Sequence, residues 1–426
     1  MAIREKFNYK LMRLDTSSSD EFGMPWVVDD TQNAIYDCPQ IFHENGEPWV
    51  EANIYAIQRL AAGKNIETVN ALMNHLRDYA EFLEGVGVDW RHFPNKKKQR
   101  CLVRYRGHLI ERRDEGGLSP STTSARMSAV VAFYRWAHRE GLIERENLWE
   151  DKQQVISRYT LVGLKRTIAI TSSDLAIPNR KRPGASVEDG LLPLSNTSRK
   201  TLLAFLKRQG MTELYLMFAI GFYTGARIET IRTLRLSTLE SARSDPSIDN
   251  LQRVPVGPPT QVKTKFGVSG DLLFPSSIIV LLQEYAMSAR RLVRQARATG
   301  EEKSLLFLTT RGRKYEEGSF TRLMSELRKK LMKNGHVEFG RLKFHQSRAT
   351  FGTQLMRLCL ETMERTDDAI IFVRDAMLHK DESTTWKYIR FVQSDPIKEK
   401  LSDQFFDFFS GRENDSDALI EDVINE

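Results

Sequence analysis

The sequence lacks long apolar runs. Its longest strongly apolar stretch, Leu214 to Tyr223, is ten residues, and Glu213 precedes it. A bilayer-spanning helix needs about 20, so no membrane segment is expected. Cysteine is scarce: Cys38, Cys101 and Cys359 lie far apart, which argues against a disulfide framework or a C-x-x-C zinc site. That usage predicts a reducing compartment, the cytoplasm. The opening MAIREKFNYKLMRLD has charges breaking every apolar stretch, so no secretory leader is expected. There is no G-x-x-x-x-G-K-S/T loop to cradle a nucleotide. No carboxylate cluster has nuclease-like ligand spacing, so neither a metal nor another cofactor is expected.

What is present is enough for a folded protein. Apolar residues make up 41% of the 426 positions and charged residues 28%, which excludes a mainly disordered chain. At roughly 100–200 residues per domain, the length allows two to four domains. The net charge of +7 is unevenly placed. Residues 1–50 carry 4 basic and 9 acidic side chains, residues 51–400 carry 58 and 39, and residues 401–426 carry 1 and 8. A basic body with acidic ends suits a polyanion partner, because each neutralised phosphate releases a counterion.

Residues 1–50 read as an acidic, irregular lead-in, with PWVVDD and AIYDCP as candidate short strands. Residues 51–177 form a first domain, helical from about Glu51 to Tyr159. Over Thr68–Glu84, Val69, Met73, Leu76 and Tyr79 recur near a 3.6-residue period. After the start signal SPST, Met127, Val130, Val131 and Tyr134 share one face, leaving Arg126 to face elsewhere. Between these helices, Lys96, Lys97, Lys98, Arg100 and Arg104 form a basic stretch that suits a phosphate-facing surface. Residues 178–198 collect Pro, Gly, Ser and mixed charge without periodicity and read as a linker. A second domain, 199–400, opens with an amphipathic helix at Ser198–Gly210 and a buried one at Glu213–Thr224. RVPVG, PTQVKTKFG and DLLFP then suggest a small sheet, and helices resume from Ile278. Residues 401–426 form an acidic tail.

Four clusters in the second half could carry chemistry. In FYTGARIETIRTLRL, Arg227 follows a buried helix where the chain must turn, an expensive place for a charge without an anion. In LKFHQSRATFGTQL, His345 and Arg348 share a helical face. In MLHKDESTTWKYIRF, Ser383 and Thr384 can cap a helix bearing Tyr388, with His379 nine residues before it. In QVKTKFG, Lys263 and Lys265 lie near a hairpin tip. Two guanidiniums can clamp the non-bridging oxygens of a phosphodiester. A phenol can attack phosphorus, and a lysine can protonate the departing oxygen.

These boxes, in this order, resemble those of the tyrosine recombinase (phage integrase) family. YTGAR is similar to its first arginine box, HQSRATFGTQL to its H-x-x-R box, and LHKDESTTWKYIRF to its final box. The resemblance spans roughly residues 60–400 and suggests a divergent, mobile-element branch. It implies a mainly α (α+β) fold, in which a helical core-binding domain and a mostly helical catalytic domain with a small antiparallel sheet form a clamp around DNA. By position, Arg227 and Arg348 would be the transition-state arginines, with His345 beside the second. His379 would be a hydrogen-bond donor, Tyr388 the nucleophile and Lys263 the mobile general acid. Lys265 is a rival acid, since a two-residue shift in a hairpin keeps the same face, and is otherwise a DNA contact.

The sequence also departs from the family. Thr230 stands where many members carry a glutamate, the nearby acid being Glu229, and Ala349 follows the second arginine. Leu378 replaces the glycine often found before the last histidine. These departures leave open which residue supports Arg227.

The resemblance implies site-specific cutting and rejoining of double-stranded DNA through a 3′-phosphotyrosine, without metal or ATP. The protein would be a monomer or dimer when free and a homo-tetramer on DNA, with accessory recombinase or DNA-bending proteins as further partners. Gln404–Ser410 would dock on its own domain or a neighbour's. A type IB topoisomerase-like relaxing enzyme, a catalytically silent DNA-binding protein and, more remotely, a telomere-resolving enzyme are the competing readings.

Overall fold

A computed structural model describes residues 1–15, 24–31, 34–144, 148–159, 165–179, 187–380 and 382–393. The acidic tail, including Gln404–Ser410, lies outside these residues. The chain divides into two compact units, Met1–Pro183 and Gly184–Glu426. The architecture is mainly α with small antiparallel sheets.

In the first unit the helices form where the periodicity places them. Helices α1 (Val50–Ala61), α2 (Ile66–Val86), α3 (Cys101–Asp114) and α4 (Pro120–Arg139) share one core. The Asn65 side chain caps α2 by accepting from the Glu67 amide, and Gly87 ends it in the left-handed region at φ 62°. Ser119 caps α4, with Pro120 in its first turn. All of Val69, Met73, Leu76, Tyr79, Met127, Val130, Val131 and Tyr134 are buried. The Tyr79 and Tyr134 hydroxyls meet at 2.7 Å, and Tyr134 also donates to the Trp90 carbonyl. Each buried hydroxyl therefore keeps a partner.

Two expectations for this unit need correction. The first 50 residues are less irregular than expected: β4 (Ile35–Phe42) and β3 (Trp26–Val28) fall on the candidate strands AIYDCP and PWVVDD, but they pair antiparallel with two strands the sequence did not suggest, β1 (Ile3–Tyr9) and β2 (Met12–Leu14) respectively. Strand β1 is mostly exposed, so burial imposes no alternation for the sequence to reveal. Strand β4 is fastened by the buried Asn53 amide, which accepts from Ile41 N–H at 2.7 Å and donates to Ile41 C=O at 3.0 Å. The helical stretch also ends at Arg139, not near Tyr159. Beyond it, β5 (Asp151–Tyr159) pairs antiparallel with β6 (Lys165–Ser173), whose β-branched KRTIAITSS favours an extended backbone.

In the second unit, α5 (Asn196–Arg208) leads into α6 (Thr212–Thr224), which is buried on nearly every side. Short helices α7 (Ile228–Arg232) and α8 (Leu236–Glu240) precede a sheet of order β7-β8-β9: Arg243–Ser244, Leu251–Val256 and Gly270–Pro275. RVPVG and DLLFP fall on β8 and β9, but PTQVKTKFG is no strand. It forms the β8–β9 connection, with 3-10 turns at Pro258–Thr260 and Lys265–Gly267. Pro258 and Pro259 have no N–H for a ladder, and Gln261, Phe266 and Gly267 take positive φ. Helices α9 (Ser276–Met287), α10 (Ala289–Arg297), α11 (Glu317–Lys333), α12 (His345–Thr362) and α13 (Thr366–Ala376) follow, with α14 over 382–393. Ser383 and Thr384 therefore lie in the first turn of α14. Among the described residues no helix is long and apolar enough to cross a membrane.

The packing of α6 on α12 is unusually close. A Cβ at Gly221 would lie 2.3 Å from Ser347 Oγ, and one at Gly225 would lie 2.5 Å from Phe351 Cδ1. Overpacking of this kind costs about 1–3 kcal/mol. Gly221→Ala is accordingly expected to lower the thermal midpoint by several degrees in calorimetry, since 1 kcal/mol shifts a domain of this size by roughly 2–4 °C.

Candidate active site

Five structural segments converge on one point. Helix α6 ends at Gly225, in the left-handed region at φ 67°, so the chain turns sharply and delivers Arg227 to the N-terminus of α7. Helix α12 begins at His345 and places Arg348 within its first turn. After α13 the chain reverses at Leu378, φ 50°, and presents His379. A leucine there carries roughly 1–2 kcal/mol of strain relative to a glycine. Its side chain packs toward Gly270, where an added Cβ would come within 2.5 Å of it. Tyr388 comes from α14. The fifth contributor is Glu188, from a 3-10 turn at Glu188–Gly190 within the stretch expected to be only a linker.

Arg348 is 2% exposed, and each guanidinium nitrogen has a partner. Nε donates to Glu188 Oε2 at 2.7 Å, Nη1 to the Gly225 carbonyl at 2.6 Å and Nη2 to the Met377 carbonyl at 2.9 Å. One side chain thus ties the first box to the last. Arg227 Nη2 donates to Glu188 Oε1 at 2.6 Å. His379 Nε2 and the Tyr388 hydroxyl each lie 3.4 Å from Glu188 Oε2, and His345 Nε2 lies 3.8 Å from it. The structure therefore brings Arg227, His345, Arg348, His379 and Tyr388 around a single carboxylate. Glu229 is exposed and Thr230 buried, so the carboxylate on Arg227 comes from 39 residues upstream.

The electrostatics follow from burial. Desolvation alone would raise the Glu188 pKa, but His379, Arg348 and Arg227 hold it far below the usual carboxylate range. Burial, aided by the two arginine charges and opposed by Glu188, pushes His379 down to about 4. A neutral imidazole with its proton on Nε2 fits both neighbours: it donates to Glu188 while Nδ1 accepts from the Thr385 hydroxyl at 2.9 Å. Burial raises the Tyr388 pKa, with Arg348 opposing and Glu188 adding to the rise. In this arrangement Tyr388 is a neutral phenol, 0% exposed, stacked on His379 with ring centroids 6.0 Å apart. It also packs against Gly352, where a Cβ would meet its ring at 2.6 Å.

The two lysines separate. Lys265 lines a cleft with Arg227, Thr230 and Arg348. It also lines a cavity of about 220 Å³ with Glu188, Arg227, His379, Lys380 and Lys387. Lys263 lines neither; its backbone N–H donates to Thr233 Oγ1 at 2.9 Å. The argument that the two lysines share a hairpin face fails because this stretch is not a strand. Among the described residues no group of three His, Cys, Asp or Glu side chains could hold a metal ion.

The phage integrase family model matches residues 194–394, and the phage integrase N-terminal SAM-like domain matches residues 58–141. The chain belongs to the phage integrase family. Members of this family cut and rejoin DNA. Among solved structures, the Tn1549 transposon integrase in complex with circular intermediate DNA is similar at 16% identity and a TM-score of 0.49, over 79% of this chain and 94% of that one. A lambda integrase dimer bound to a COC′ core site is similar at 13% identity and a TM-score of 0.47, over 80% of this chain and 94% of that one. No curated protein sequence matches.

Within this integrase-family chain, the basic residues of the first unit differ in how free they are. Lys96, Lys98 and Arg104 are exposed. Lys97 is bound to Asp174 at 2.7 Å, and Arg100 holds its own loop through the Pro94 and Asn95 carbonyls. Arg126 does not face outward as expected. It is paired with the buried Asp78, which also accepts from Tyr105 Oη at 2.9 Å and Arg112 at 3.3 Å. An aspartate beside Tyr79 on an apolar helix face needs a cation, and that was the sequence signal for this pair. Glu188 left a fainter signal: an acidic VED within a basic, proline-rich stretch, in a chain whose first box has Thr230 where many members carry a glutamate.

The depressed His379 pKa predicts a stability change with pH. The unfolded histidine, near 6.5, takes up a proton that the folded one refuses down to about 4. Its contribution is therefore complete above pH 6.5 and is lost as pH falls through 4, by roughly 3 kcal/mol in all. Urea unfolding of wild type and His379→Asn between pH 7 and 4 should show a steeper decline for wild type.

Proposed function

We propose that this integrase-family chain is a site-specific recombinase of a mobile element, acting on double-stranded DNA through a 3′-phosphotyrosine at Tyr388. The observation carrying this reading is the convergence of Tyr388, Arg227, Arg348, His345 and His379 on one anion, within 3.8 Å. Two guanidiniums and two imidazoles around an anion match the needs of a phosphoryl group gaining negative charge in its transition state. Attack by the Tyr388 oxygen forms the new P–O ester and breaks the bond to the 5′ oxygen; one proton leaves the phenol and one is delivered to the 5′ oxygen, so the exchange balances.

We assign the proton for that leaving oxygen to Lys265, because it borders the cleft beside both arginines. The positive charge comes from the arginines, and no step is assigned to a metal or to ATP. Residues 51–177 and 199–400 would be the core-binding and catalytic domains, closing on DNA as a clamp. Exposed Lys96, Lys98 and Arg104 are the best-placed phosphate contacts of the first. Recombination joins two duplexes, each cut by two protomers, so the working assembly would be a tetramer.

A nicked suicide duplex tests the chemistry, because it traps the covalent adduct. Tyr388→Phe should retain duplex binding and form no adduct; an adduct from that variant removes Tyr388 as nucleophile. Lys265→Ala should slow adduct formation by about 10²-fold or more, the usual scale of general-acid catalysis, while Lys263→Ala should stay within a few fold. A duplex with a 5′-sulfur leaving group, which needs no proton, should restore Lys265→Ala to near the wild-type rate.

A further inference from the structure

The carboxylate of Glu188 stands where the recombinase reading requires the scissile phosphate. It carries one negative charge on two oxygens, as the two non-bridging oxygens of a phosphodiester do. Oε1 takes Arg227, while Oε2 takes Arg348 and faces His379, Tyr388 and His345. Every group assigned to the phosphate is thus engaged by one side chain, itself 5% exposed. A DNA phosphate cannot reach both guanidiniums while Glu188 remains, because the two anions would compete for the same donors.

Glu188 also comes from a suitable place. It sits near the start of the second compact unit, in a 3-10 turn of its own and not on the segments that carry the other groups. The turn closes through its own backbone bonds, Val187 N–H to Leu191 C=O at 3.1 Å and Leu191 N–H to Glu188 C=O at 3.3 Å. The chain just beyond it is pinned to α12, where Gln346 donates to the Leu192 carbonyl and the Leu194 amide donates to Thr350. A compact turn with a fixed end can swing without disturbing the helices behind it.

We propose that Glu188 is an internal phosphate mimic that holds the catalytic site closed until a duplex phosphate displaces it. The inference rests on the recombinase reading and deepens it. The site is kept assembled but inert without DNA, and seating the scissile phosphate requires the Glu188 turn to move. The rival role is a permanent carboxylate support for Arg227, substituting for the family glutamate replaced by Thr230. The two roles predict opposite signs when the carboxylate is removed.

The experiment uses the full chain. On the nicked suicide duplex at subsaturating DNA, Glu188→Gln and Glu188→Ala should form the Tyr388 adduct at least fivefold faster than wild type. In the Tyr388→Phe background both should bind the uncut duplex at least fivefold more tightly. Inorganic phosphate should raise the thermal midpoint of Glu188→Ala more than that of wild type, because ligand that binds the folded state stabilises it. Variants that form adduct no faster than wild type, or gain nothing from phosphate, overturn the proposal while leaving the recombinase reading intact. No adduct from wild type or variants removes both. Should the variants fail to fold, hydrogen exchange on wild type decides: the amides of residues 187–191 should exchange faster with duplex bound, and slower or unchanged exchange overturns the proposal.

Discussion

Burying guanidinium charge without water is costly, and the second unit is organised around that cost. Arg348 is enclosed almost completely and Arg227 largely so. A lone charge in such a place would cost several kcal/mol. The fold meets it with fixed carbonyl acceptors at Gly225 and Met377 and with one carboxylate shared between both arginines. Everything that touches this anion is set by that requirement: the neutral state of His379, the protonated state of Tyr388 and the ionised state of Glu188.

The helices meet a second requirement, which is distance. Arg348 can bridge the end of α6 and the end of α13 only if α12 lies close against both. The glycines at 221 and 225 permit this on one side, and Gly352 permits the approach of the Tyr388 ring on the other. Leu378, strained at positive φ, turns the chain so that His379 faces inward. Preorganised polar groups of this kind need no rearrangement as charge develops. The price of that rigidity is that an anion is wanted even when no substrate is present.

Much of this was legible in the chain. The helical faces of α2 and α4 and the buried α6 follow from local pattern, and the three boxes holding Arg227, His345 with Arg348, and His379 with Tyr388 stood out by their resemblance to those of a known family. Local pattern failed where a residue's role depends on a distant partner. Arg126 reads as a free surface charge until Asp78, 48 residues earlier, is found beneath it. Lys263 and Lys265 read as equivalent until the connection between β8 and β9 proves to be turns rather than strand. Strands β3 and β4 fall on the candidate strands PWVVDD and AIYDCP, whereas β1 and β2 were missed because, being mostly exposed, they have no buried face to impose a two-residue period.

The order of the boxes, the periodicity of the helices and the uneven distribution of charge belong to the sequence alone, because each depends only on neighbours a few residues away or on chemistry carried by single side chains. The tertiary structure decided which anion completes the site, which lysine stands beside it and which arginine is already occupied. Those outcomes depend on contacts between residues from 39 to 200 positions apart, and no local rule of sequence encodes the distance between them once the chain has folded.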